Sequence, residues 1–164
     1  MILFRRRHRF SQGFTLLELF IVIAIIGTLA AIAIPNFIGY RERARYVDAI
    51  QTLRMISTVL DAYAADHADH PDSLADVGLG GLRDPWGNPY QYLNINRDPS
   101  LPKKDQTKVG DMRKDHSLVP VNSDYDLYSM GPDGQSQKPF TAKASRDDIV
   151  RAADGGYFGW VSDY

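Results

Sequence analysis

The chain has no cysteine in its 164 residues, so neither a disulfide nor a thiolate metal site can hold it together. Glutamate is almost as scarce: 18 of the 20 acidic residues are Asp, and only Glu18 and Glu42 are Glu. Asp favours turns, caps and hard-cation sites over helix interiors, which predicts a loop-rich domain. The net charge is -1, and outside a short basic leader no cluster of Lys and Arg of the nucleic-acid-binding kind is present. Ser/His/Asp groupings, glycine-rich phosphate loops and zinc motifs are also missing, so the sequence gives no basis for catalysis or nucleotide chemistry. Of the histidines, His8 lies in the leader, and His67, His70 and His116 lack metal-ligand spacing; His67 and His70 suit a capping or solvated role near a helix end. Nine Tyr and seven Phe fall mostly at helix-stripe or strand positions, where packing accounts for them.

Long apolar runs are absent with one exception. Residues 14–34 are 21 positions with a single charge, Glu18. At about 1.5 Å per residue they match a hydrocarbon core roughly 30 Å thick, which predicts a membrane-spanning helix. Arg5, Arg6, Arg7 and Arg9 precede the run without an acid among them, whereas Glu42 lies among the following Arg41, Arg43 and Arg45. This asymmetry places the N-terminus in the cytoplasm and the rest of the chain outside. A secretory signal carries its cleavage site after the apolar region, but here the small-residue site, Gly13 before Phe14, separates the basic from the apolar part. A cut there removes four of the 19 basic residues, leaving 15 against 20 acids and a formal -5, and it keeps the anchor.

Beyond Pro35, apolar residues recur at Tyr46, Val47, Ile50, Leu53, Ile56, Val59, Leu60 and Tyr63, a three-four spacing that continues the helix out of the membrane to an end between Ala65 and His70. Gly27, Pro35 and Gly39 are its weak points, and a bend or locally melted stretch is expected near Pro35. From Pro71 the pattern changes to short alternating runs. Residues 90–93 and 125–130 read as strands, 84–89 and 131–134 as turns, 97–122 as a long polar loop, and 155–161 as an edge strand. The segments are thus 1–13, a leader; 14–35, an anchor; 36–70, the continuing helix; and 71–164, a β-rich head.

Two features remain open on the residues alone. Glu18 is costly inside an apolar span, about 2.5 kcal/mol near a helix centre and less toward an end, so it either snorkels to the headgroups or meets a partner. The run Asp126-Leu127-Tyr128-Ser129-Met130-Gly131-Pro132-Asp133-Gly134 and the later Asp147-Asp148-Ile149 offer carboxylates and turn carbonyls that suit either a hard cation or solvated surface turns.

Gly13-Phe14-Thr15-Leu16-Leu17-Glu18-Leu19, with Pro35 closing the apolar run, resembles the class III signal of type IV pilins and type II secretion pseudopilins. Asp84-Pro85-Trp86-Gly87-Asn88-Pro89-Tyr90-Gln91-Tyr92, physically a rigid turn with Trp86 and Tyr90 packing on the helix, is similar to the hallmark of the G-type major pseudopilin. The resemblance implies an α+β pilin-like fold, with a long N-terminal helix packed on a small antiparallel sheet. It implies cleavage after Gly13 and methylation of Phe14 by a prepilin peptidase, and a structural rather than enzymatic role as a homopolymer in a type II secretion pseudopilus. The partners implied are minor pseudopilins and an inner-membrane secretion platform. For Glu18 it implies pairing with the N-terminal amine of a neighbouring subunit. For the C-terminal turns it implies calcium, held by the side chains of Asp133, Asp147 and Asp148 and the carbonyls of Met130 and Gln135. The chain departs from that pattern by a longer insert between Gly134 and Asp147 and by an extension over residues 151–160 that adds Asp154. A type IV pilus subunit is the near alternative, and a membrane-tethered extracytoplasmic enzyme or binding domain the distant one.

Overall fold

The computed structural model describes residues 13–67, 69–95 and 106–164; the arginine leader, His8 and residues 97–105 of the expected loop lie outside the described residues. The chain divides into two compact units between Arg41 and Glu42.

Helix α1, Leu16–His67, contributes to both units. In the first, its large side chains are exposed from Leu16 through Tyr40. Thr28 satisfies its hydroxyl locally by donating to the Ile25 carbonyl at 2.8 Å. The helix runs through Pro35, so the locally melted stretch expected there is not observed; the missing N–H removes one hydrogen bond, which the bonds of neighbouring turns outweigh. The last turn is closed by His67, whose Nδ1 lies 3.0 Å from the Tyr63 carbonyl and whose ring stacks on Tyr63.

In the second unit, α1 follows the predicted stripe. Ala49, Leu53, Ile56 and Leu60 are fully buried and pack with Leu74, Tyr90, Tyr125, Leu127 and Ile149. The opposing surface is a four-stranded antiparallel sheet in the order β1 (Gln91–Asn94), β2 (Tyr125–Ser129), β3 (Ile149–Ala152), β4 (Tyr157–Trp160). The α+β class is therefore as the sequence predicts. Strand alternation sends Tyr125, Leu127 and Ile149 to the helix, while Val150 and Ala152 join Val121, Phe140 and Val161 in a second cluster, with Tyr128 and Tyr157 packed against it. Where it is described, the expected 97–122 loop carries a 3₁₀ turn at Val109–Asp111 and is not merely solvated. Its described part buries Met112, Arg113, Val121 and Asn122, and Val121 belongs to the second cluster.

Sequence reading missed β3. Arg151 interrupts its apolar run at a position whose alternation points to the helix side, and Asp147 and Asp148 just before it read as turn ligands. In the structure Arg151 is buried. Its guanidinium lies 4.0 Å from the Tyr125 ring centroid and pairs with both Asp124 oxygens at 2.8 and 2.7 Å. Tyr125 completes the link to α1 by sharing a hydrogen bond with Ser57 at 2.7 Å and donating to Asp61 at 3.0 Å.

Burial alone pushes the Asp124 carboxyl up, but the Arg151 guanidinium and the Tyr125 backbone N–H outweigh it and hold it below the usual carboxylate range. The native state thus favours the ionised form, so its stabilisation is complete at neutral pH and is lost as pH falls through that lowered value. Asp124→Asn is expected to cost about 3 kcal/mol at pH 7, because it strands a buried guanidinium. In thermal unfolding across pH the gap to the unmodified protein should close in strong acid; a gap that stays constant would exclude the pair as its origin.

Candidate functional site

The residues expected to serve processing and assembly, Gly13, Phe14 and Glu18, lie together at the start of α1. Gly13 and Phe14 precede the helix, and Phe14 is 88% exposed. Thr15 then caps it: Thr15 Oγ1 accepts from the Glu18 backbone N–H at 3.2 Å, while Glu18 Oε2 accepts from the Thr15 backbone N–H at 3.4 Å and from its hydroxyl at 3.3 Å. This reciprocal pair is a capping box, which satisfies two helix-end N–H groups that have no partner within the helix. Its signal, Thr three residues before Glu at the head of an apolar run, was available in the sequence alongside the reading of Glu18 as an isolated charge. The geometry gives Glu18 a local task, setting where the helix begins, within a single copy of the chain. Its carboxylate also lies at the positive end of the helix macrodipole. Apart from Thr15 its neighbours on the helix are apolar, and residues 14–34 contain no Lys, Arg or His to pair with this carboxylate.

The C-terminal turns are tied together through backbone and side-chain contacts. Asp84 organises the first turn: its Oδ1 accepts from the N–H groups of Trp86 at 3.1 Å and Asn88 at 2.8 Å, and its Oδ2 from Ser129 Oγ at 2.5 Å. Asn88 Nδ2 reaches the Gly131 carbonyl at 2.9 Å and so joins this turn to the next. As the sequence predicts, Trp86 and Tyr90 pack on the helix cluster, and burial raises the Tyr90 hydroxyl to about 12.

Of the calcium ligands that the resemblance implies, Asp133 and Asp147 meet: the Asp133 backbone N–H donates to Asp147 Oδ2 at 3.3 Å. Asp133 Oδ1 is turned back to the Gln135 N–H at 2.8 Å; Gln135 is exposed and Met130 half-buried. Asp148 is elsewhere engaged. It is fully buried, and its Oδ2 accepts from Arg113 Nη2 at 2.7 Å and Ser136 Oγ at 2.5 Å. Burial pushes its carboxyl up to about 6 against the pull of Ser136 and Arg113. The cleft beside the turn holds Asp133, Asp147 and Asp163 interleaved with Lys143 and Arg146. Among the described residues no three His, Cys, Asp or Glu side chains are placed to hold a metal ion, so the residues do not fit the implied calcium site as a shared carboxylate cluster.

Comparison with known proteins bears on the start of the helix and on the chain as a whole. A family model for the prokaryotic N-terminal methylation motif matches residues 8–34. The type II secretion system core protein G of Pseudomonas aeruginosa is 34% identical over 131 residues, covering 79% of this chain and 89% of that protein. Its counterpart in Escherichia coli K12 is 33% identical over 127 residues, covering 76% and 84%. The type IV major pilin protein PilA of Myxococcus xanthus is 40% identical over 82 residues, which is 50% of this chain but 36% of the pilin. No solved structure shows a significant match.

Proposed function

Because the chain belongs to the family of type II secretion system core protein G, we propose that it is cleaved after Gly13, N-methylated on Phe14 and polymerised through its exposed apolar helix into a pseudopilus shaft. The observation that carries this reading is identity to core protein G over most of both chains, joined to the methylation motif at residues 8–34. The chain is a single-pass, membrane-anchored pseudopilus subunit.

The chemistry of maturation follows from the segment's layout. Hydrolysis of the Gly13–Phe14 amide releases the leader with its four arginines and creates a new amine on Phe14, four residues before Glu18. In the membrane the leader's charge holds the N-terminus on the cytoplasmic side and the head faces outward. On assembly, Glu18 of one subunit compensates the Phe14 amine of another, a contact between unlike surfaces that does not close and therefore propagates as an open helix. Minor pseudopilins and an inner-membrane platform are the partners of this growth.

Intact-mass analysis of the membrane-extracted protein is expected to show a chain beginning at methylated Phe14. An uncleaved leader, or a cut after Ala31 or Ala33 on the far side of the apolar run, would refute the processing. Loss of exported proteins on deletion of the gene, restored by the intact chain, tests the secretion role. The partial match to PilA favours a second reading, a type IV pilus subunit, which instead predicts loss of long surface fibres with secretion unchanged.

A further inference from the structure

The loop between β1 and β2 delivers a cation into the interior. Arg113 is anchored twice: its backbone N–H donates to Asp126 Oδ2 at 2.7 Å, and its guanidinium reaches across the sheet face toward the start of β3. There Nη2 donates to Asp148 Oδ2 at 2.7 Å and Nη1 to Ser136 Oγ at 2.5 Å, while Ser136 donates in turn to the same Asp148 oxygen. The Tyr128 and Phe140 rings flank the guanidinium at 4.1 and 5.0 Å. Side-chain exposure is 4% for Arg113 and 0% for Asp148.

We propose that Arg113 occupies the structural place that the resemblance assigns to calcium, so that the C-terminal turns are closed by an internal guanidinium and the fold does not depend on the ion. The argument rests on charge and geometry. A fully buried carboxylate needs a counter-charge, and here one arrives within the chain, oriented by two hydrogen bonds and two rings. Calcium takes roughly six to eight oxygens, and Asp133, Asp147 and Asp148 are not gathered to supply them. A divalent ion on Asp148 would also lie against a guanidinium in a medium of low dielectric, where like charges repel strongly. Asp133 and Asp147 share their cleft with Lys143 and Arg146, which lowers its attraction for a cation. Asp148 Oδ1 is buried without a hydrogen-bond partner among the described residues. It is the atom through which an ion could still engage, and a calcium titration interrogates it directly. The long loop thereby acquires a purpose that its polar, aperiodic sequence conceals: it carries the cation that pins β2, Ser136 and the start of β3 together.

The test is thermal unfolding of the full mature chain in detergent micelles, followed by the fluorescence of Trp86 and Trp160. It reads the folded monomer, so its failure leaves the secretion reading standing. The unmodified protein should melt at the same temperature in millimolar Ca²⁺ and in excess chelator. Arg113→Met, which strands Asp148, should lower the midpoint by roughly 10 °C, and Arg113→Lys, which keeps the charge but not the fork, by less. A midpoint that rises with Ca²⁺ in the unmodified chain overturns the proposal, as does an Arg113→Met protein that melts like its parent. Should Arg113→Met fail to fold, the calcium comparison and Arg113→Lys decide the matter alone.

Discussion

Glu18→Ala is expected to abolish pseudopilus assembly while leaving membrane insertion, cleavage and the head intact. The carboxylate is the only charge in residues 14–34, and every large side chain around it is apolar and exposed. On the proposed assembly, pairing it with a neighbour's Phe14 amine would remove the cost of two charges in an apolar filament core, and deleting one would leave the other stranded. At about 2.5 kcal/mol per contact the association constant falls roughly 50- to 100-fold, and a polymer made of repeated contacts multiplies that loss. The capping box supplies a rival account, because Ala also removes the acceptor that satisfies Thr15, at a cost of about 1 kcal/mol to the first turn. Glu18→Gln separates the two. Gln retains an oxygen for the cap and loses the charge, so assembly should fail with Gln nearly as completely as with Ala. Filaments of normal yield from Glu18→Gln would leave Glu18 a helix cap and nothing more, whereas failure of both, with heads that melt normally, assigns the charge to the subunit contact. Yield is measured by shearing or cross-linking the assembled polymer.

What the sequence made legible divides along physical lines. The helix from Leu16 and its buried stripe at Ala49, Leu53, Ile56 and Leu60 were readable because a 3.6-residue period repeated over many turns leaves little ambiguity. β1 and β2 were readable for the same reason on a shorter scale, as alternating aromatics bounded by proline and glycine turns. β3 was hidden by its own chemistry: a strand of four residues with an arginine on its helix-facing side shows no alternation, and that arginine is tolerated only because Asp124 and the Tyr125 ring, distant in sequence, complete it. Arg113 was hidden similarly. Nothing local in a loop of Lys, Asp and Pro says that one cation is buried on Asp148, since the partner lies 35 positions away. Carboxylate-rich segments advertise a counter-ion without saying whether it is a metal or a side chain; in this chain the answer depends on long-range contacts that composition does not encode. The capping box is the opposite case, a local signal that the stronger anomaly of a charge in an apolar run obscured.

Gly131→Ala is expected to cost the head more than any single glycine change elsewhere in it for which the backbone angle alone is at stake. Gly131 sits at φ +64, and a Cβ there would be driven into the backbone carbonyl of Asp147, with the Asp147 carboxylate close behind at 3.2 Å. The same residue donates its N–H to Ser129 Oγ at 3.1 Å and accepts from Asn88 Nδ2 at 2.9 Å, so it cannot move aside without releasing the Asp84 turn and the end of β2. Gly87 provides the control: its φ is +97, but no atom lies within 4 Å of the position a Cβ would take. Gly87→Ala should therefore carry only the conformational cost, about 1–2 kcal/mol. Gly131→Ala adds a steric overlap with rigid backbone and should reach about 3 kcal/mol or more, lowering the midpoint of thermal unfolding by roughly 10 °C. Because the overlap involves the carbonyl just ahead of Asp148, relief of the clash displaces the start of β3 and with it the Arg113 contact, so the variant should also lose protection of the Val150 and Arg151 amides in hydrogen exchange. Equal destabilisation of the two alanine variants, with those amides unaffected, would mean that the turn and the strand do not approach as closely as their packing indicates and that the C-terminal closure resides in the arginine contact alone.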